Sequence, residues 1–176
     1  MRNLLFIMVI GLFMTVVPTF VWAAAAKAVI TGTTPQSKVS GEVVLTEENN
    51  GLTVEAKLSN LSEGNHGFHI HENGKCDDAG KAAGGHFNPD GVMHGYMPKD
   101  GMTHAHPGDM GNLQVDAQGN ATLKVFLPGV NLQQGKYGVL GRAIVVHEKE
   151  DDFSQPTGNA GGRVGCGVIQ AVDVEK

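Results

Sequence analysis

Six histidines and one aspartate, most of them in one glycine-rich stretch, constrain this chain more than any other feature: His69, His71, His86, His94, His106, Asp109 and His147. The chain has eight histidines in all. Neutral imidazole is the commonest protein ligand for zinc and copper, and residues two apart on an extended strand, such as His69 and His71, point to the same face. The pattern predicts a metal site, and a set of solvated loop histidines is the weaker interpretation.

The first 25 residues resemble a secretory signal peptide. Arg2 gives a short positive region, residues 4–17 form an apolar run, and Pro18 and the alanines at 23–26 follow. This run is shorter than the roughly 20 residues that a membrane-spanning helix needs, so a retained anchor is the weaker interpretation. We expect residues 1–25 to be removed on export to the periplasm, with secretion as the alternative. Residues 26–176 are then one soluble domain without membrane contact.

The charge balance excludes one class of partner. The chain has 13 Lys and Arg side chains against 18 Asp and Glu, and Arg2 is the only charge in residues 1–25. The remaining chain therefore has a net charge of −6. Binding to nucleic acid depends on basic side chains that neutralise phosphates, so nucleic acid is not an expected partner.

Cys76 and Cys166 are the only cysteines, and both follow the predicted leader. In an oxidising compartment an even pair is most simply one disulfide. Two free thiols, or a thiolate that binds copper, are the alternatives.

Short runs of β-branched or alternating residues predict strands, and none has the period of a long helix. In residues 53–59 the apolar side chains occupy every second position, which is typical of a strand with one buried face. The triplets at 49–51 and 118–120 are expected hairpin turns. We predict an all-β fold, an antiparallel Greek-key sandwich or flattened eight-stranded barrel with two long functional loops, with strands at 27–31, 40–46, 53–59, 66–71, 112–116, 121–126, 142–147 and 166–172.

Several motifs occur in order along the chain: Gly67-Phe68-His69-Ile70-His71-Glu72, Gly85-His86-Phe87-Asn88-Pro89, His106-Pro107-Gly108-Asp109, and the stretches 142–149 and 158–167. Together these segments resemble the copper/zinc superoxide dismutases. The resemblance runs in order over almost the whole chain after the leader. It implies an enzyme that converts superoxide into dioxygen and hydrogen peroxide, with one copper and one zinc per chain.

The resemblance implies a role for each ligand. Copper is expected on four histidines, His69, His71, His86 and His147. Zinc is expected on three histidines and a carboxylate, namely His86, His94, His106 and Asp109. His86 would therefore bridge the two metals and carry a catalytic proton.

Four further residues receive expectations from the same resemblance. Arg163 is expected beside the open copper position, where it would bind the anionic substrate. Asp151 matches a carboxylate that links a copper ligand to a zinc ligand, and an acid in a solvated run is the alternative. His66 is expected to brace the scaffold without binding metal. His104 has no matching position, and His106 is the better zinc ligand because of its His-Pro-Gly-Asp context.

Departures from the family pattern leave some features open. Cys76 follows His71 by five residues, as in exported bacterial members, whereas residues 142–149 and 158–167 look eukaryotic. Family members carry basic side chains that attract the substrate in the loop that corresponds to residues 148–162. Of these side chains, only Lys149 has a counterpart here. Both a monomer and a homodimer agree with the sequence. A non-catalytic exported protein that stores or carries copper and zinc is the alternative function, and a structural or adhesive sandwich domain is a second one.

Overall fold

The computed structural model describes residues 25–133 and 135–172. The predicted leader lies outside these residues, except for Ala25, which begins the first strand. Within the described ranges, no helix is long and apolar enough to cross a membrane.

The described residues form nine strands in one antiparallel sheet that closes on itself. Their order is β2-β3-β6-β5-β4-β7-β8-β1-β9, and an additional β1–β2 pairing joins the ends into an eight-stranded barrel with β9 as an extra strand. The predicted fold class is confirmed. The strands are β1 Ala25–Gly32, β2 Ser40–Glu48, β3 Gly51–Ser59, β4 Gly64–His71, β5 Asp109–Val115, β6 Ala121–Pro128, β7 Ala143–His147, β8 Arg163–Val168 and β9 Gln170–Ala171.

The connections between strands place the functional loops. Both predicted hairpins form, since β2 pairs with β3 and β5 pairs with β6. The chain crosses from β3 to β4 over the β6–β5 pair, which is a Greek-key connection. Between β4 and β5 a long loop contains a 3₁₀ turn at Lys81–Ala83 and one short helix, α1, at Met97–Asp100. A second long loop, residues 148–162, joins β7 to β8.

The barrel interior is filled by apolar side chains, and the alternation predicted in β3 is observed. Val54, Ala56 and Leu58 are buried, whereas Glu55 and Lys57 are exposed. Each fully buried large side chain stabilises the fold by about 1.5–3 kcal/mol. The largest ones include Ile30, Leu45, Leu52, Phe68, Leu113 and Leu127.

The last predicted strand is interrupted, so the prediction of one strand over 166–172 is wrong. β8 ends at Val168, and β9 begins at Gln170. Between them, the Ile169 amide donates to the Arg142 carbonyl at 2.9 Å, and the Gly141 amide donates to the Ile169 carbonyl at 2.9 Å. Ile169 is buried, and after it the chain pairs with β1 instead of β7.

The predicted disulfide is confirmed. Cys76 and Cys166 are bonded across 90 residues, which ties the loop after β4 to strand β8. The alternatives of free thiols and of a copper-binding thiolate are therefore wrong.

We expect the double substitution Cys76→Ser with Cys166→Ser to lower the free energy of unfolding by about 4–5 kcal/mol, because it releases a long loop in the unfolded chain. The corresponding fall in melting temperature is about 8 °C or more. Calorimetry of the metal-free variant measures it, with the metal-free parent protein as the reference. A change below about 1 kcal/mol would contradict the expectation.

Candidate metal centre

Strand β4 is buried on both faces, and this places the first two histidines. Phe68 and Ile70 belong to the barrel core, while His69 and His71 alternate with them and face the long loops outside. His147 ends the neighbouring strand β7, whose ladder pairs Val145 with His69. The barrel wall therefore fixes three imidazoles before either loop contributes.

The loops bring the remaining side chains to the same place. His86, His94 and His106 come from the loop between β4 and β5, and Asp109 begins β5. All seven residues predicted as metal ligands are buried. They form two groups whose candidate ligand atoms lie within 4.8 Å of one another: His69, His71, His86 and His147, and His86, His94, His106 and Asp109.

In the first group the hydrogen bonds determine which ring nitrogens have free lone pairs. His69 Nε2 donates to Asp151 Oδ2 at 2.8 Å, and its buried Nδ1 has no hydrogen-bond partner. His71 Nδ1 donates to the Gly84 carbonyl at 3.0 Å, so its Nε2 is unprotonated and lies 3.3 Å from His147 Nε2. The candidate ligand atoms of this group therefore lie close together in one buried space. Such an all-nitrogen set fits copper.

The second group is organised around the Asp109 carboxylate. It accepts hydrogen bonds from the Nδ1 atoms of three histidines, His86 at 2.8 Å, His94 at 2.7 Å and His106 at 3.1 Å. Three imidazoles and one carboxylate that converge from Nδ1 and Oδ atoms fit a closed tetrahedral zinc shell. Because His86 uses Nδ1 here, its Nε2 remains for the first group.

Asp151 connects the two groups. Its Oδ2 accepts from His69 Nε2, and its Oδ1 accepts from His94 Nε2 at 2.9 Å. Asp151 is 1% exposed, so its prediction as a linking carboxylate agrees with the geometry, and the alternative of a solvated acid does not. Gly158 makes this arrangement possible, because a Cβ there would stand 1.8 Å from Asp151 Oδ1.

Charges and burial tune these groups in opposite directions. Burial lowers the pKa of His71 to about 2, of His147 to about 3 and of His86 to about 4, which keeps the rings in the neutral, metal-binding form. Burial alone would also lower the pKa of His94, but its hydrogen bonds to Asp109 and Asp151 raise it to about 9. Burial opposes ionisation of the Asp109 and Asp151 carboxyls. Hydrogen bonds from the histidines nevertheless hold the pKa of each carboxyl well below its usual range.

Arg163 lies beside the first group on a fixed support. Its two Nη atoms donate to the carbonyls of Gly80 at 2.6 Å and Gly84 at 2.5 Å. The Gly84 carbonyl also accepts from His71 Nδ1, so one carbonyl positions both the guanidinium and a histidine. The Gly80 amide donates to the Cys76 carbonyl, which connects this support to the disulfide.

The two remaining histidines lie outside both groups. His66 Nδ1 donates to the His147 carbonyl at 2.7 Å, so the ring braces the end of β7. His104 is exposed, with Nδ1 2.8 Å from Thr103 Oγ1.

Two amide side chains of the centre were missed by sequence reasoning. Asn112 clamps the backbone of Asp151, since its Nδ2 donates to the Asp151 carbonyl at 2.9 Å and its Oδ1 accepts from the Asp151 amide at 2.8 Å. Gln155 makes the same kind of paired contact with the backbone of His94. Neither residue belongs to a metal-binding pattern, so no signal in one sequence marks them.

Comparisons with known proteins agree with this centre. Residues 39–169 match the family model for copper/zinc superoxide dismutase. The chain is 42% identical over 144 residues to the extracellular Cu-Zn superoxide dismutase of Drosophila melanogaster, covering 76% of each chain. It is 44% identical over 139 residues to Cu-Zn superoxide dismutase A of Xenopus laevis, covering 74% of this chain and 89% of the other. The crystal structure of the clock protein EA4 superposes with a TM-score of 0.74 at 33% identity, covering 89% of this chain and all of that one.

The fold and the paired ligand groups define a barrel protein with a two-metal centre. This chain belongs to the copper/zinc superoxide dismutase family. The identification from the sequence motifs is confirmed, as is the expectation of an enzyme of this type with copper and zinc as its cofactors.

Proposed function

We propose that this protein dismutates superoxide at a copper ion that shares a histidine with a neighbouring zinc ion. The observation that carries the proposal is the position of His86, the one residue common to both four-residue groups. A storage or carrier protein needs two ligand sets, but it gains nothing from a ring shared between them. A shared ring couples the two ions, which a catalyst can use.

We assign a different metal to each of the two ligand groups. Copper is assigned to the all-histidine group, His69, His71, His86 and His147, and zinc to the closed group, His86, His94, His106 and Asp109. Bound copper supplies a reversible one-electron change, so that one superoxide loses an electron to give dioxygen and a second gains it to give hydrogen peroxide. The complete reaction consumes two superoxide ions and two protons.

His86 is proposed as the residue that holds and delivers one of these protons. Its Nδ1 is fixed on the Asp109 side of the centre, so its Nε2 faces the other three histidines. A ring held at one nitrogen can gain and lose a proton at the other without changing its orientation. Asp109, together with a zinc ion held by its group, would therefore position the proton donor.

Arg163 is proposed to bind the superoxide anion. Only two of its donors are used by the Gly80 and Gly84 carbonyls, and a guanidinium has five N–H groups. Burial is the largest cause of the low pKa of His71 and of His147, and the positive charge of Arg163 lowers both further. Arg163 therefore lies close to both rings. A preorganised cation at this point stabilises an anionic reactant without rearrangement.

The function is tested by superoxide consumption of the purified protein, measured with its copper and zinc content before and after chelation and stepwise return of each metal. We expect fast consumption that is lost with copper and restored by copper. Light scattering on the same sample distinguishes a monomer from a homodimer. A chain that held one copper and one zinc and remained inactive would favour storage or transport.

The substitution Arg163→Ala is expected to lower superoxide turnover at least tenfold while copper content stays intact, because the anion loses its positively charged partner. The turnover of Arg163→Lys should lie between that of the parent protein and that of Arg163→Ala, since lysine retains the charge but not both carbonyl contacts. The exposed Lys124 on β6, which pairs with Glu55, provides the control as Lys124→Gln. An unchanged rate in Arg163→Ala would remove Arg163 from this role.

We further propose that the protein is exported, to the periplasm if the cell is bacterial and outside the cell otherwise. The signal-like residues 1–25, the disulfide and the extracellular Drosophila relative support this. Mass spectrometry of the protein from its native source tests it. A chain that begins at residue 24, 25 or 26 is expected, and an intact Met1 would contradict export by cleavage.

A further inference from the structure

His94 is held by hydrogen bonds to three residues, and two of them come from the loop between β7 and β8. Its ring contacts Asp109 through Nδ1 and Asp151 through Nε2. Its backbone amide donates to Gln155 Oε1 at 2.9 Å, and its carbonyl accepts from Gln155 Nε2 at 2.8 Å. Gln155 thus pairs with both polar backbone groups of one residue.

This contact matters because His94 lies in an irregular segment, where no strand or helix supplies backbone partners. His94 is 4% exposed, and buried backbone groups without partners are costly. The Gln155 amide supplies both partners from a side chain. It therefore fixes the main chain of His94 and, through it, the direction of the ring.

The contact is also specific to one half of the centre. Asp151 touches a ring in each ligand group, whereas the amide of Gln155 bonds only to the backbone of His94, which belongs to the zinc group. Gln155 also lines an open pocket of about 360 Å³ together with His106 of the zinc group and the shared His86. Loss of the contact would free one side of this pocket, through which solvent reaches the zinc group.

We propose that Gln155 is a positioning residue for zinc: its amide fixes the backbone of His94 and so slows zinc release without acting on the copper ligands. This rests on the zinc assignment proposed above. Partners of this kind, which orient a metal ligand, commonly change metal affinity about 10- to 100-fold when they are removed.

The test compares metal release from the fully loaded protein. In Gln155→Met, which keeps the side-chain length but neither hydrogen bond, zinc transfer to a chromophoric chelator should be at least about tenfold faster, with copper release changed less than about twofold. Gln155→Glu keeps the acceptor for the His94 amide but loses the donor to its carbonyl, so an intermediate rate is expected. Gln118→Met, in the exposed β5–β6 turn, is the matched control and should behave as the parent.

A spectroscopic readout separates positioning from general destabilisation. With Co²⁺ in the zinc group, the d–d absorption of Gln155→Met should shift in energy or intensity, because the His94 ring has changed direction, while that of Gln118→Met should not. Zinc release and a Co²⁺ spectrum that both match the parent would overturn the proposal. Equal acceleration of zinc and copper release would also overturn it, since that indicates general loosening.

These measurements do not depend on superoxide turnover. A parent protein that holds zinc tightly but is inactive would contradict the proposed reaction and leave the role of Gln155 measurable. A parent protein that binds no zinc would overturn both.

Discussion

The structure depends on the burial of six imidazoles and two carboxylates in one place. Each of these eight side chains is at most 7% exposed. A buried polar group without a partner costs about 1–3 kcal/mol, so the surroundings of the cluster must supply hydrogen bonds as well as volume. Asp109 accepts from three histidines and Asp151 from two. The paths of the two long loops follow from this requirement, because the loops bring most of the partners.

The barrel and the loops contribute differently to precision. His69, His71 and His147 lie on strands whose ladders fix the backbone, and the first residue of β5 is Asp109, which pairs with His69. Among the loop ligands, His86 forms an isolated antiparallel bridge with His71 on β4. At His94, hydrogen bonds from a side chain replace such backbone pairing. Asn112 on β5 holds the loop at Asp151, and Gln155 in that loop holds His94. The barrel therefore fixes the position of the β7–β8 loop, and that loop fixes His94 in the loop between β4 and β5.

The sequence predicted the parts of this design that are local. The alternation of apolar and polar side chains identified β3, and turn residues identified both hairpins. The family motifs predicted which histidines lie together. Other features depend on contacts between distant segments. The break at Ile169 arises from its exchange of hydrogen bonds with Gly141 and Arg142 on the adjacent connection. The paired contact of Gln155 with His94 spans 61 residues, and the shared carbonyl of Gly84 serves residues 13 and 79 positions away. No periodicity in one sequence reports such contacts.

The acidic chain must still attract an anion, and the burial of the carboxylates explains how both can hold. Asp109 and Asp151 are at most 1% exposed, and each is surrounded by histidines that donate to it. Their negative charge is therefore compensated by hydrogen bonds from histidines inside the centre. Arg163 is partly exposed and stands beside the all-histidine group, where we propose that its charge meets an approaching anion. Electrostatic steering by local charge is already known for copper/zinc superoxide dismutases. Because these two carboxylates are buried and Arg163 is partly exposed, the total charge of the chain does not by itself determine the charge that an anion meets at the centre.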